Sequence, residues 1–208
     1  KTKPRYKHIS TINNGVDVQR FYLADEAPNL RQADTFVTVM VAGFREAKDQ
    51  DTLIRAIASL SNQYKLWLVG DGVRRNDLEA VIASTGVADR VNLLGIRSDV
   101  PHVLKAADVV VMSSHWEGLS LSNIEGMSSG RPFIASDVDG LREVTKGYGV
   151  LFPHEDAEAL AAIIQKLHDD KAYYDEVAEK CFQRAMMFDI EKMVDGYEAV
   201  YQELMHSK

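Results

Sequence analysis

Short segments that are apolar on every side alternate with helix-length stretches along this chain. Phe36–Val41, Lys65–Val69, Val91–Leu94, Val109–Met112, Pro132–Ala135 and Gly149–Phe152 are each strand-sized and rich in β-branched or aliphatic residues. Between them lie segments of helical period. From Asp51, for example, Leu53, Ile54, Ile57, Ala58 and Leu60 recur at that spacing, and Leu78, Val81 and Ile82 form the inward face of the next helix. A strand apolar on both faces needs cover on both faces, and strands separated by helices run parallel. The fold class expected is therefore α/β, a doubly wound, Rossmann-like parallel sheet with helices on both faces.

After Pro153 the pattern is helical to the end, with helices expected over 157–168, 172–187 and 190–205 and Asp189 as the N-cap of the last. The apolar residues of that last helix (Met193, Val194, Tyr197, Val200, Tyr201, Leu204) spread over more than one stripe. Two readings stand: a helix sandwiched in its own domain, or one that also touches a partner domain. Three regions result: a lead-in and linker over 1–35 with no expected structure, the sheet domain over 36–187, and a closing helix over 188–208. The polar lead-in suggests a fragment of something longer.

Composition narrows the function. With 46% hydrophobic and 26% charged residues, 13 Gly and 5 Pro, the chain is neither disordered nor collagen-like. Its 24 Lys+Arg against 31 Asp+Glu give a net charge of −7, the wrong sign for a partner held through nucleic-acid phosphates. A local basic pocket for a small phosphorylated ligand stays allowed. The single cysteine, Cys181, rules out an intramolecular disulfide and a Cys-rich zinc site and suits a reducing cytosol. The basic opening Lys1–Lys7 leads into polar residues, not a signal peptide, and no apolar run approaches the ~20 residues of a membrane span.

In an open parallel sheet, ligands bind beyond the carboxyl ends of the strands, where loops meet helix N-termini. The phosphate-loop pattern is absent from those loops. Gly70-Asp71-Gly72 begins like a dinucleotide fingerprint, but Arg75 stands where its third glycine belongs, and a tight turn is the simpler reading. Gly118-Leu119-Ser120-Leu121-Ser122 lacks the closing glycine of a nucleophile elbow, and His115 merely adjoins Ser114 in sequence, so a serine hydrolase is discounted. The six histidines show no metal-ligand spacing, and no catalytic metal is expected.

The informative segment is Ser114–Met127, after the fourth strand. Glu117 and Glu125 stand eight apart, one in the loop and one about a turn into a helix. Between them the backbone of Gly118–Ser122 offers N–H groups at a helix N-terminus, an anion cradle. Carboxylates suit sugar hydroxyls because each oxygen accepts more than one hydrogen bond. Taken alone, Glu125 is equally well a helix-start charge favoured by the dipole.

Glu-x7-Glu within Ser-x-x-Glu-Gly…Glu-Gly-Met-x-x-Gly-x-Pro resembles the signature of the retaining family 4 (group 1) glycosyltransferases. Asn14-Gly15-Val16-Asp17, Lys48, Val69–Gly72, Gly95, Ser98–Val100, Ala107–Val109, Gly140…Glu143 and Phe188–Tyr201 match in order over some 190 residues. The resemblance implies the C-terminal, donor-binding half of a GT-B fold. It implies a nucleoside-diphosphate sugar as donor, with UDP the first expectation although uracil, guanine and adenine all stay open, and polysaccharide biosynthesis as the setting. By the same resemblance Glu125 holds the ribose hydroxyls, and Glu117, a catalytic residue, orients the donor sugar. The backbone of Gly118, Leu119, Ser120 and Leu121 meets sugar and diphosphate. Lys48, the second catalytic residue, neutralises the leaving group without a metal, Gly70 lies at the donor, and Arg97 borders the base.

One position departs from the family: Gly43 replaces an arginine five residues before Lys48. Arg45 either reaches the phosphates in its place or faces solvent. The implied partner is an N-terminal acceptor-binding domain, without which the chain is expected to be inactive. Apolar surface is expected near Trp116 and the last helix, open to that domain or to self-association. A cytoplasmic location, with docking at the inner membrane face through the partner domain, goes with this reading. The rivals are a nucleotide-sugar 2-epimerase-like domain and a non-catalytic nucleotide-sugar-binding or scaffold domain.

Overall fold

The computed structural model describes residues 9–206, so the basic opening over 1–8 and the last two residues lie outside it. Six parallel strands form one sheet in the order β3-β2-β1-β4-β5-β6. They are β1 (Phe36–Val41), β2 (Tyr64–Val69), β3 (Val91–Gly95), β4 (Val109–Met112), β5 (Phe133–Ser136) and β6 (Val150–Phe152). Every residue of β4 and β5 is buried, as is all of β1 but Val41. That burial is what an apolar run covered on both faces demands. β1 pairs with β2 in unbroken register from Phe36↔Tyr64 to Val41↔Val69 and with β4 at Thr38↔Val109, so the strand order reverses between β1 and β4. The crevice outside that reversal is where such a sheet takes its ligand.

The helices are α1 (Val18–Tyr22), α2 (Gln50–Ser59), α3 (Arg75–Thr85), α4 (Val100–Ala106), α5 (Leu121–Ser128), α6 (Asp139–Thr145), α7 (Ala157–Asp169), α8 (Lys171–Ala185) and α9 (Ile190–His206). α2 packs against α3 and α7, whereas α1, α4, α5 and α8 form a second group in contact with one another. Leu53, Ile54, Ile57 and Leu78 carry the expected inward faces and are fully buried.

The lead-in departs from its expectation. α1 lies within it, capped by Asp17 accepting from the Arg20 N–H, with Val18 and Phe21 buried. A helix of five residues in a polar stretch has no period to read. It forms because tertiary contacts with α4 and α5 cover its two apolar side chains. The lead-in is also joined to the start of α9: Val16 N–H donates to Phe188 O and Ile190 N–H to Val16 O, both at 3.0 Å. Asp189 caps α9 as expected, its carboxylate accepting from Glu191 N–H at 3.0 Å. α9 buries no residue of its own, and Tyr197, Tyr201, Leu204 and Met205 are exposed, so it is not sandwiched.

Candidate functional site

The loops after β1 and β4 are stitched together, and this brings Lys48 to Glu117. His115 N–H donates to Ala47 O at 2.9 Å, and Ser113 Oγ donates to Asp49 O at 2.7 Å. Lys48 closes a 3-10 turn over Glu46–Lys48, and the chain then enters α2 through Asp49, in the left-handed region at φ 47°. Lys48 Nζ donates to Glu117 Oε1, which also accepts from Ser114 Oγ at 2.8 Å. Oε2 takes no hydrogen bond from any described residue. Ser114 is in turn held by Ser136 Oγ, which donates to its carbonyl at 2.6 Å. The pair is thus partly buried and fixed from both sides, with one carboxylate oxygen unpaired among the described residues.

Two cavities open beside it at the strand ends. One, about 570 Å³, is lined by Gly43, Arg45, Lys48, Asp71, Gly72 and Val73. The other, about 330 Å³, shares Gly43 and Asp71 and reaches Gly70, Arg97 and Ser122. A side chain on Gly70 is impossible. Its φ is +138° and a Cβ would lie 2.1 Å from Ala42 O, so this glycine lets the β1 and β2 loops touch, as the tight-turn reading holds. Gly43 is different, since a Cβ there meets only Arg45 Nε and Asp71 O, each at 3.7 Å. Arg45 therefore folds back over the position the departure left open. Arg97 is already engaged, its guanidinium holding Asp99 at 2.7 and 2.6 Å.

α5 begins at Leu121 with Ser120 as N-cap and no side-chain cap bond, which leaves first-turn N–H groups without an intrahelical acceptor. Gly118, Leu119, Ser120 and Leu121 lead into that end, and Gly118 and Leu121 are exposed. One turn in, Glu125 is half-buried and bonds no described residue. Burial pushes its carboxyl pKa above the ordinary value, and the Arg20 guanidinium offsets only part of this. Glu117 and Glu125 thus flank the helix N-terminus, as their spacing predicts.

Sequence reasoning assigned no role to three contributors. Arg20 stands on the unforeseen α1, and Ser114 shows its role only through a side-chain contact. Gly140 packs so closely that a Cβ would lie 2.1 Å from Glu117 O, which marks it as the seat of the loop. A fourth feature joins residues far apart in the chain: ligand-type atoms of Asp49, His115 and His154 lie within 4.8 Å of one another.

The profile of the family described as Glycosyl transferases group 1 matches residues 23–185. The chain belongs to the group 1 glycosyltransferases. Among curated relatives it is 31% identical over 194 residues to the lipopolysaccharide core biosynthesis glycosyltransferase LpsE of Rhizobium meliloti, covering 92% of this chain and 57% of the relative. It is 30% identical over 215 residues to the UDP-Gal:alpha-D-GlcNAc-diphosphoundecaprenol alpha-1,3-galactosyltransferase of Escherichia coli, covering 96% and 55%. Crystal structures of Anabaena HepE in complex with UDP and with UDP-glucose superpose with TM-scores of 0.85 and 0.84 at 26% identity, covering 92% of this chain and 57% of that one. The chain spans about half the length of the curated relatives it matches. Its Rossmann-like sheet is that of the GT-B glycosyltransferases, and the family match decides against the epimerase-like reading. No described helix is long and apolar enough to cross a membrane.

Proposed function

We propose that the crevice beyond β1, β2 and β4 binds a nucleoside-diphosphate sugar, and that this group 1 domain is the donor half of a retaining family 4 hexosyltransferase. One observation carries the reading: Lys48 and Glu117, from separate loops, meet beside the open N-terminus of α5, with Glu125 one turn in. A diphosphate fits the helix N-terminus through its N–H groups. Ribose hydroxyls satisfy Glu125, and donor-sugar hydroxyls meet Glu117 Oε2 and the backbone of Gly118–Leu121. Gly43 and Gly70 floor the crevice, and Arg97 borders the base.

In the reaction the sugar–phosphate bond breaks and the acceptor oxygen bonds the anomeric carbon on the face the phosphate leaves. The departing phosphate takes the acceptor proton. Lys48 and Arg45 then stabilise its charge as fixed cations, so the step calls for no metal. Retention follows from the family resemblance. The acceptor is assigned to a second domain, whose closure excludes water and aligns the hydroxyl, so the chain alone is expected to transfer no sugar. The apolar surface at Trp116 and on α9 suits that contact. A cytoplasmic site, docked at the inner membrane face through the partner domain, goes with this reading. UDP is the first donor nucleotide to test, because the HepE structures hold UDP and UDP-glucose.

Calorimetric titration of the chain with UDP, GDP and ADP tests the proposal. One nucleotide is expected to bind, and Glu125→Ala is expected to weaken it by roughly 1–3 kcal/mol through lost charged hydrogen bonds. Affinity that Glu125→Ala and Lys48→Ala both leave unchanged, or no binding of any of the three at millimolar concentration, refutes it.

A further inference from the structure

Next to the loop that carries Glu117 is a cluster that the donor reading does not use. Asp49 is only 4% exposed. Its Oδ1 accepts from Thr52 N–H at 3.2 Å and caps α2, while its buried Oδ2 has no hydrogen-bond partner among the described residues. Leaving a buried carboxylate oxygen unanswered is costly. Oδ2 faces His115 Nδ1 at 3.9 Å, too far for a hydrogen bond. The same Nδ1 lies 2.8 Å from His154 Nε2 and 3.4 Å from Glu155 Oε1.

A dication bound between them gives the unpartnered Asp49 Oδ2 and the two imidazoles one common partner. Ligand atoms on a tetrahedron with metal–ligand bonds of about 2.0–2.1 Å lie about 3.3 Å apart. His115 Nδ1 lies 2.8 Å from His154 Nε2 and 3.9 Å from Asp49 Oδ2, on either side of that value, and the ligand atoms of the three residues all lie within 4.8 Å of one another. Two imidazoles with a carboxylate suit zinc-class ions, whereas magnesium prefers an all-oxygen set.

We propose that Asp49, His115 and His154 form a site for one divalent transition-metal ion of the zinc class. Three protein ligands occupy three corners of a tetrahedron and leave the fourth to water. The ion ties the Glu117 loop to the N-terminus of α2 and to the turn between β6 and α7. It fixes the backbone two residues before Glu117 without touching the leaving group. The proposal is independent of nucleotide binding, so each can fail without the other.

The test uses the whole chain, stripped with a chelator and dialysed. It is titrated with Zn²⁺ by calorimetry and with Co²⁺ by visible absorption, with Mg²⁺ as control. The expected result is one tight Zn²⁺ equivalent, the visible bands of tetrahedral Co²⁺, and no Mg²⁺ binding. Asp49→Asn retains the cap on Thr52, because asparagine caps as well as aspartate, so it separates metal loss from misfolding. Asp49→Asn and His154→Ala are each expected to weaken Zn²⁺ at least about tenfold. His102→Ala, on α4, leaves it unchanged. No saturable Zn²⁺ binding at micromolar concentration, or an affinity that either ligand variant leaves unaltered, overturns the proposal.

Discussion

Glu125 is the residue at which stability and binding oppose each other most directly. It is half-buried, no described residue bonds it, and burial raises its carboxyl pKa against the partial relief of Arg20. A carboxyl whose folded pKa exceeds its unfolded one stabilises the fold most below the unfolded pKa. That contribution is lost as pH rises through the folded pKa. At neutral pH the ionised Glu125 is therefore a cost carried by the ligand-free chain. Glu125→Gln is expected to be the more stable protein at pH 7 in urea unfolding, with the gap to wild type closing below about pH 4. The same variant is expected to bind UDP more weakly. A Glu125→Gln chain less stable than wild type at pH 7 would mean that the carboxylate already has a stabilising partner.

At the scale of elements, the loop between β4 and α5 is held by a neighbour that has no side chain. Gly140 stands in the first turn of α6, where alanine is the better helix former, so its value lies in the 2.1 Å its Cβ would leave to Glu117 O. Gly140→Ala is expected to push that loop away. UDP affinity should fall at least about tenfold, with a stability loss of roughly 1–3 kcal/mol from overpacking. Calorimetry and unfolding on one preparation check both, and a more stable variant with undiminished affinity counts against the idea. Elements of this kind were unevenly legible. β1, β2 and β4 could be read because each is apolar on both faces, and α2 because Leu53, Ile54 and Ile57 keep a period. α1 could not, since five residues carry none. Arg90 was equally hidden, although it closes the end of α2 by donating to Ile57 O at 2.9 Å and Leu60 O at 2.7 Å. Glu117 and Glu125 could be placed at the helix N-terminus by spacing alone. The meeting of Lys48 with Glu117, and of Asp49 with His115 and His154, depends on loops that only the sheet brings together.

For the whole molecule, α9 differs from everything the sheet holds. It buries no residue and is tied to the lead-in by the ladder at Val16 and Asp189, by the Gly15 N–H donating to Met193 Sδ and by Gly196 against Ile12, whereas β1, β4 and β5 lie in the centre of the core. Segments with few buried apolar contacts open far below the global unfolding free energy. Amides of α9 are therefore expected to exchange at least about a hundredfold faster than those of β1 and β4. Cys181 supplies a second clock. Its thiol is wholly buried and its pKa is pushed up to about 12 by that burial, so alkylation at neutral pH waits for the domain to open. Its rate should follow the sheet amides and not those of α9. Protection of α9 equal to that of the sheet would restore the sandwiched reading of this helix. Protection that appears only when an acceptor-binding domain is supplied would identify its apolar side, with Tyr197, Tyr201 and Leu204, as the surface that domain covers.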